Sequence, residues 1–230
     1  MTVVSNLLRI EERLSEACLR SGRKREEVRL MGVTKFHDRA AVEEAWRAGL
    51  RLFGENRVQE AREKFDGFRE SHPGAELHLI GSLQRNKAKS AALFFDCVES
   101  VDRDALIAEL GGISAGKELR VLLELHTGEE SKRGFPGEDS LLRAAERVLS
   151  FPGLKPAGIM TMAPFTTGEA PVRAAFRAAR KARERLEAAF PQNDWSCLSM
   201  GMSNDFEIAV EEGSTLVRIG TVLFGERAHT

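Results

Sequence analysis

The chain has 230 residues, of which 42% are apolar, and its 34 Lys and Arg against 35 Asp and Glu give a formal net charge of −1. This balance excludes a dedicated nucleic-acid binder, which carries a basic excess, and no apolar run is long enough to predict a transmembrane helix. The first twelve residues already contain acidic side chains, which excludes a secretory signal.

The first twenty residues predict an amphipathic helix, because Leu7, Ile10 and Leu14 recur on one face and Ser21 and Gly22 end the pattern. Short apolar runs then alternate with amphipathic segments, and the segments at 38–49 and 171–190 predict helices. Eight runs rich in Val, Ile and Leu predict buried parallel strands. They are VRLMGVTK from residue 28, RLFGEN from 51, ELHLIG from 76, FFDCVES from 94, RVLLELHT from 120, LKPAGIMTM from 154, WSCLSMG from 195 and TLVRIG from 215.

The strand starts are about 27 residues apart, which is the length of one βα unit. Eight such units after one leading helix predict an α/β fold, a single (β/α)8 TIM barrel with one extra N-terminal helix, with residues 1–230 as one domain. A doubly wound open sheet is the alternative, but no GxGxxG turn follows the first strand.

In a barrel of this kind, function lies at the C-terminal ends of the strands. Lys35 ends the first run, and a lysine desolvated at a barrel mouth can attack a carbonyl to form a Schiff base. A solvent-exposed lysine at a strand end is the alternative interpretation.

A second set of candidates follows the last two strands. Ser203 and Asn204 stand at the predicted start of the next helix, and Gly220 and Thr221 stand where the last strand turns; together they predict an anion site. Ordinary capping residues and a turn glycine are the alternative. With Lys35, the set describes a ligand that has a carbonyl at one end and a phosphate at the other, either pyridoxal phosphate or the substrate of a sugar-phosphate aldolase.

The remaining features of the sequence are less specific for a function. His78 and His126 lie on apolar strands and are interpreted as core residues, and no cluster has the spacing of a metal site. Six basic residues between 173 and 185 are interpreted as a solvated helix face, with an anionic partner as the alternative. The basic segment SLQRNKAKS at 82–90 is a loop over the mouth or a helix start. The cysteines, which form no disulfide framework or zinc pattern, predict a cytoplasmic protein; they are Cys18, Cys97 and Cys197.

Six strings match one known family in order and spacing. They are VTK at 33–35, LFGENRVQEA at 52–61, HLIGSLQRNK at 78–87, GIMTM at 158–162, LSMGMSND at 198–205 and VRIGTVLFGER at 217–227. They resemble the pyridoxal phosphate homeostasis proteins, single-domain relatives of the N-terminal barrel of alanine racemase. The resemblance implies that Lys35 forms the Schiff base with pyridoxal 5'-phosphate and that Arg218 faces the pyridine nitrogen. It also implies further cofactor contacts, from Asn56, Met200, Ser203, Gly220 and Thr221.

The resemblance implies a monomer that binds pyridoxal phosphate, delivers it to the apo-forms of enzymes that use it, and maintains vitamin B6 balance without an established catalytic turnover. His37 stands where the family often has a second lysine.

A small pyridoxal-phosphate racemase or lyase, with His78 or Cys197 as its second base, is the alternative. The chain has no tyrosine, which excludes the tyrosine-based mechanism of alanine racemase. Arg218 beside the ring nitrogen would never give up its proton, which leaves the ring a weaker electron sink.

Overall fold

The structure is a computed structural model that describes residues 2–116, 118–127, 133–166 and 168–225. Its eight strands are all parallel and close into one barrel in chain order, with the last strand paired to the first. The predicted (β/α)8 barrel is therefore confirmed. The strands are β1 (Arg29–Val33), β2 (Leu52–Glu55), β3 (Glu76–Leu79), β4 (Cys97–Val101), β5 (Leu119–Leu125), β6 (Leu154–Thr161), β7 (Cys197–Ser199) and β8 (Leu216–Ile219).

Helices alternate with the strands around the outside of the barrel. Within the described residues they are α1 (Val3–Arg20), α2 (Arg39–Arg47), α3 (Val58–Phe65), α4 (Phe68–Ser71), α5 (Ala88–Phe94), α6 (Asp104–Ile113), α7 (Glu138–Leu149), α8 (Glu169–Ala189), α9 (Phe206–Glu211) and α10 (Thr221–Phe224). Three single turns of 3₁₀ helix, Arg25–Glu27, Arg85–Lys87 and Ser114–Gly116, complete them.

The leading helix α1 is the predicted extra element. Thr2 caps it, because its hydroxyl accepts from the Ser5 amide at 3.2 Å and Ser5 bonds back in a capping box. The buried face of α1 packs against α9 and α10, and the Asn6 side-chain amide donates to the Leu223 carbonyl at 2.9 Å. The helix therefore ties the start of the chain to its last βα unit.

Several predicted boundaries need correction. β1 ends at Val33, so Lys35 lies in the turn after the strand. α8 begins at Glu169, two residues before the prediction, because a proline fits the first turn of a helix. Ser203 and Asn204 do not begin a helix, since α9 starts at Phe206.

The structure forms helices at two other segments for which the sequence predicted or allowed one. Asp38 caps α2 by accepting from the Ala41 amide at 3.0 Å, as the capping pattern indicated. The basic segment at 82–90 is a helix start: a 3₁₀ turn, Arg85–Lys87, leads directly into α5.

The basic residues of α8 are mostly paired with acids, some on neighbouring elements and some, as for Arg180 and Arg183, on α8 itself. Arg173 contacts Glu211 of α9 at 2.6 Å, and Arg185 contacts Glu138 of α7 at 3.0 Å. Exposed ion pairs contribute little stability each. They do remove the positive surface that an anionic partner would need.

The core has two layers. Apolar side chains of the strands and helices fill the outer layer, between the barrel and its helices. The barrel interior combines small apolar clusters with buried charged groups, among them His78, Glu99 and Arg218. Buried charges are expensive unless they are paired, so this polar interior is where chemistry is expected.

In the part of the chain that the structure describes, no helix combines the length and the apolar character that crossing a membrane requires. The same residues contain no group of three or more candidate ligands that could hold a metal ion.

Candidate functional site

A cavity of about 930 Å³ opens at the C-terminal end of the barrel. The size is within the range of small-molecule sites. Six of the seven residues expected to contact a cofactor line it: Lys35, Asn56, Ser203, Arg218, Gly220 and Thr221. They reach it from β1, β2, β7 and β8 or from the turns after them, because the C-terminal ends of parallel strands meet at one end of a barrel.

Met200 does not line this cavity. Its side chain is fully buried in the outer core layer. Ser199, the last residue of β7, points into the barrel and bonds Arg218, so the next residue points outward by strand alternation. Met202, two positions further along, lines the cavity instead.

The turn that carries Lys35 is held by a buried ion pair. The Lys64 ammonium donates to Glu55 Oε1 and to the Thr34 carbonyl, both at 2.6 Å. The Thr34 hydroxyl donates to the same carboxylate oxygen at 2.7 Å. Burial raises the pKa of Glu55, and the charge of Lys64 opposes that rise. These hydrogen bonds therefore fix the backbone just before Lys35.

The residue after Lys35 is held as well. Phe36 has a φ of +67°, a left-handed conformation that is rare for a bulky residue. Its amide donates to the Glu60 carboxylate at 2.8 Å, and the next amide, of His37, returns to the Thr34 carbonyl at 3.0 Å. Strain of this kind persists only where the surroundings determine it, and it is typical of functional turns.

His37 does not line the cavity. It is half-buried, and its ring lies 5.1 Å from that of Phe224, centroid to centroid. Burial, followed by the charge of Lys64, lowers its pKa. It is therefore neutral at pH 7, and it offers no second amine beside Lys35.

Arg218 forms the floor of the cavity. Its guanidinium donates from Nη1 to the carbonyl and hydroxyl of Ser199, both at 2.7 Å, and from Nη2 to the Thr161 carbonyl at 2.8 Å. Burial lowers its pKa, but an arginine remains protonated in a protein. The side chain is thus a hydrogen-bond donor that β8 holds in a fixed position.

Behind Arg218 a buried chain of polar groups supplies the compensating charge. The Ser199 hydroxyl donates to Glu99 Oε2 at 2.6 Å, and His78 Nδ1 lies 2.6 Å from Glu99 Oε1. Burial would raise the pKa of Glu99, but the bond from His78 and the charges of His78 and Arg218 keep it below its ordinary value. A buried carboxylate therefore balances the buried guanidinium.

The proposed second bases of an enzyme are outside the cavity. His78 is held between Glu99 and Glu76, and these two carboxylates raise its pKa against the effect of burial. Burial raises the pKa of Cys197 to about 12. Neither residue lines the cavity, so neither is placed to take a proton from a ligand bound there.

The part of the cavity formed by the segments after β7 and β8 is rich in hydrogen-bond donors. Ser203 and Thr221 both line it, and within the described residues neither hydroxyl makes a hydrogen bond. Gly201 shapes this loop: its φ is +95°, and a Cβ there would lie 2.5 Å from the Cβ of Ala209. Gly220 caps α10, and an anion is the natural ligand of such a set.

The position of Asn56 at the cavity depends on a second glycine, Gly81. A Cβ on Gly81 would lie 2.3 Å from the Asn56 carbonyl oxygen. Only a glycine at this position lets the ends of β2 and β3 approach so closely. Both residues line the cavity.

Sequence reasoning missed Glu124, which lines the cavity and is 6% exposed. Burial, followed by the charge of Asp102, raises its pKa to about 7. The signal was present, since a charged residue inside the apolar run RVLLELHT is unusual for a strand buried on both faces. Arg133, which also lines the cavity, was missed because it stands in a polar stretch of sequence with no periodic pattern.

Glu124 predicts a pH-dependent stability. Its pKa is raised from 4.5 to about 7, so its contribution is fully present below pH about 4.5 and is lost as the pH rises through 7. Between pH 4.5 and 8, the wild-type protein should lose roughly 3 kcal/mol of its free energy of unfolding through this group, at 1.36 kcal/mol for each pKa unit. We expect Glu124→Gln not to show this loss. Urea unfolding of both proteins across this range measures it. The matched control is Glu146→Gln, on the exposed face of α7, which should keep the wild-type profile; a Glu124→Gln profile that does likewise would contradict the prediction.

These features define a barrel of the alanine racemase N-terminal type: the family model described as alanine racemase, N-terminal domain, matches residues 6–228. The chain is 37% identical to the pyridoxal phosphate homeostasis protein of Aquifex aeolicus over 235 residues, covering 100% of both, and 38% identical to that of Vibrio cholerae, covering 100% of this chain and 98% of the relative. The chain belongs to the pyridoxal phosphate homeostasis protein family.

A solved structure agrees with this placement. PipY of Synechococcus elongatus, solved with pyridoxal phosphate bound, is 38% identical and superimposes with a TM-score of 0.81, over 94% of this chain and 100% of that one.

Proposed function

We propose that this protein binds pyridoxal 5'-phosphate in the cavity at the C-terminal end of the barrel and functions in the homeostasis and delivery of that cofactor. One observation carries the proposal: a primary amine, a buried guanidinium and a set of hydroxyl donors line a single cavity. They match the aldehyde, the ring nitrogen and the phosphate of the cofactor. The names of the relatives and the ligand of PipY support the same assignment.

Each residue has a defined task in this proposal. Lys35 binds the aldehyde covalently through its amine. Arg218 donates to the ring nitrogen, and Ser203, Gly220 and Thr221 bind the phosphate. Pyridoxal phosphate supplies an aldehyde that a primary amine captures reversibly, which suits a protein that both holds and releases the cofactor.

The cavity mouth favours release as well as binding. Phe165 is 92% exposed and Met202 is 38% exposed, and both line the cavity. An open mouth lets the cofactor leave toward another protein, and we propose that apo-forms of pyridoxal-phosphate enzymes are the recipients. His78 and Cys197, the second bases of the alternative, a racemase or lyase, lie outside the cavity, so their position does not favour it.

The proposal also includes a monomer in the cytoplasm. All three cysteines are free thiols: Cys18, Cys97 and Cys197. Thiols of this kind suit a reducing compartment. Light scattering of the purified protein, with and without cofactor, measures the oligomeric state.

A visible absorption spectrum tests the function. We expect the protein to turn yellow with pyridoxal phosphate and the band to bleach with borohydride. A protein that stays colourless after incubation with the cofactor would overturn the proposal. If borohydride then trapped a sugar phosphate on it, the aldolase interpretation would take its place.

A further inference from the structure

A second cavity, of about 520 Å³, adjoins the first, and the proposed function does not use it. It lies between the start of α3 and the 3₁₀ turn Arg85–Lys87, and it shares Asn56, Gly81 and Ser82 with the first cavity. Every residue that lines it belongs to one of two family-matching strings, LFGENRVQEA and HLIGSLQRNK. The cofactor site explains only a few residues of these strings.

The charge of this second cavity is positive. Arg57 and Lys87 line it, and no carboxylate does. Among the described residues neither cation forms an ion pair, whereas the basic residues of α8 are mostly paired with acids. Two cations that face one cavity without a counterion repel each other, and an anion placed between them would relieve that repulsion.

The neutral lining also suits an anion with several acceptor oxygens. Asn56, Gln59 and Gln84 supply amide groups, and Ser82 supplies a hydroxyl. Arg133 donates to that hydroxyl at 2.8 Å, which brings a third cation to the wall shared by the two cavities. A phosphate group, which carries nearly two charges and three acceptor oxygens, matches such a donor set better than a carboxylate does.

The second cavity has a firm base. Val58, Leu79 and Leu83 line it and are at most 7% exposed. Arg57 precedes the first turn of α3, which has no side-chain cap, so the positive end of this helix lies at the edge of the cavity. The volume is within the range of small-molecule sites.

We propose that this second cavity binds a small phosphate-bearing molecule without a covalent bond, with Arg57 and Lys87 as its charge partners. The site is distinct from the phosphate end of the first cavity, because Ser203 and Thr221 do not line it. The proposal does not depend on cofactor binding at Lys35.

Calorimetric titration with inorganic phosphate, at constant ionic strength, tests this site. The protein is first loaded with pyridoxal phosphate and the unbound cofactor is removed by gel filtration, so that the first cavity is occupied and the second is open. We expect the double variant Arg57→Gln and Lys87→Gln to bind phosphate at least about tenfold more weakly than wild type, since charge-assisted hydrogen bonds are the strong ones. Both side chains are at least partly exposed, so the variant should fold.

The matched control is the double variant Arg62→Gln and Lys89→Gln. It also removes one arginine charge and one lysine charge, but from exposed positions of α3 and α5 that lie outside the cavity. The control should stay within about twofold of wild type, because neither side chain lines the cavity and a charge that acts on it across solvent is screened. Equal weakening in the two double variants, or no phosphate binding to wild type at millimolar concentration, would overturn the proposal.

A separate arm distinguishes this result from a failure of the cofactor proposal. If pyridoxal phosphate does not load, the same titration is made on the double variant Ser203→Ala and Thr221→Val, in which the donors of the first cavity are reduced. Binding that persists there and is lost with Arg57 and Lys87 supports the second site. Phosphate binding that Ser203→Ala and Thr221→Val abolish would contradict it.

Discussion

Replacement of Lys35 by alanine is expected to abolish covalent retention of pyridoxal phosphate. Lys35 brings a primary amine to a cavity whose other described lining residues offer hydrogen bonds, guanidinium and carboxylate charge, and apolar contact. Without the covalent bond, we expect affinity to fall at least about a hundredfold, which is about 2.7 kcal/mol. The visible band should be absent from the variant, and the cofactor should separate from it on gel filtration.

Lys89→Ala is the control for this experiment, because Lys89 is an exposed lysine of α5 outside the cavity. It should keep the band, the affinity and the retention of wild type. A Lys35→Ala protein that retained a borohydride-sensitive band would show that another amine carries the cofactor, and would contradict the assignment.

Of all these substitutions, Lys64→Met is expected to cause the largest fall in the free energy of unfolding. The Lys64 side chain is 6% exposed, and its ammonium lies 2.6 Å from Glu55 Oε1. Removing one partner of a buried pair leaves an uncompensated charge and costs about 3–5 kcal/mol. For a domain of this size, that corresponds to a fall in melting temperature of roughly 6–20 °C, at 2–4 °C for each kcal/mol. Thermal unfolding followed by circular dichroism measures it.

The double variant Glu55→Gln and Lys64→Met separates the charge effect from lost packing. It removes both charges together, so it should recover more than half of the stability lost in Lys64→Met. Cofactor loading of the double variant should stay below that of wild type, because the Thr34 carbonyl keeps the His37 amide but has lost the Lys64 ammonium as a donor, and the Lys35 turn is less firmly held. A Lys64→Met protein within 1 kcal/mol of wild type, a typical surface effect, would contradict the role assigned to the pair.

The barrel could be predicted because its signals are local and repeated. Eight apolar runs at βα spacing and a capped leading helix each agree with one architecture. The boundaries were less certain, since a run such as WSCLSMG contains only three strand residues, Cys197–Ser199. The rest of that segment is held by tertiary contacts that a periodic pattern does not encode.

The site could be predicted where a residue type is unusual for its position. Lys35 after an apolar strand, and glycines and hydroxyl residues after β7 and β8, are departures from the strand pattern that chemistry explains. Met200 was placed at the cofactor by resemblance alone. The structure buries it in the outer core because Ser199, its neighbour, faces the barrel interior.

The polar interior could not be predicted. His78, Glu99 and Ser199 are separated by up to 121 residues in the chain, and only the closed barrel brings them into one chain of hydrogen bonds behind Arg218. The Glu55 and Lys64 pair is only nine residues apart, within one βα unit, but its contact with the Thr34 carbonyl depends on the pairing of β1 with β2. A single sequence gives no signal for such partners, because the register of the barrel decides them.

The mass of the peptide that carries Lys35 tests most directly whether this lysine binds the cofactor. The protein is loaded with pyridoxal phosphate, reduced with borohydride, digested and mapped by mass spectrometry. We expect the reduced cofactor to be attached to Lys35, and the attachment to be lost when pyridoxal phosphate is omitted. Attachment to a different lysine, such as Lys87, or no attachment in a protein that is otherwise folded, would contradict it.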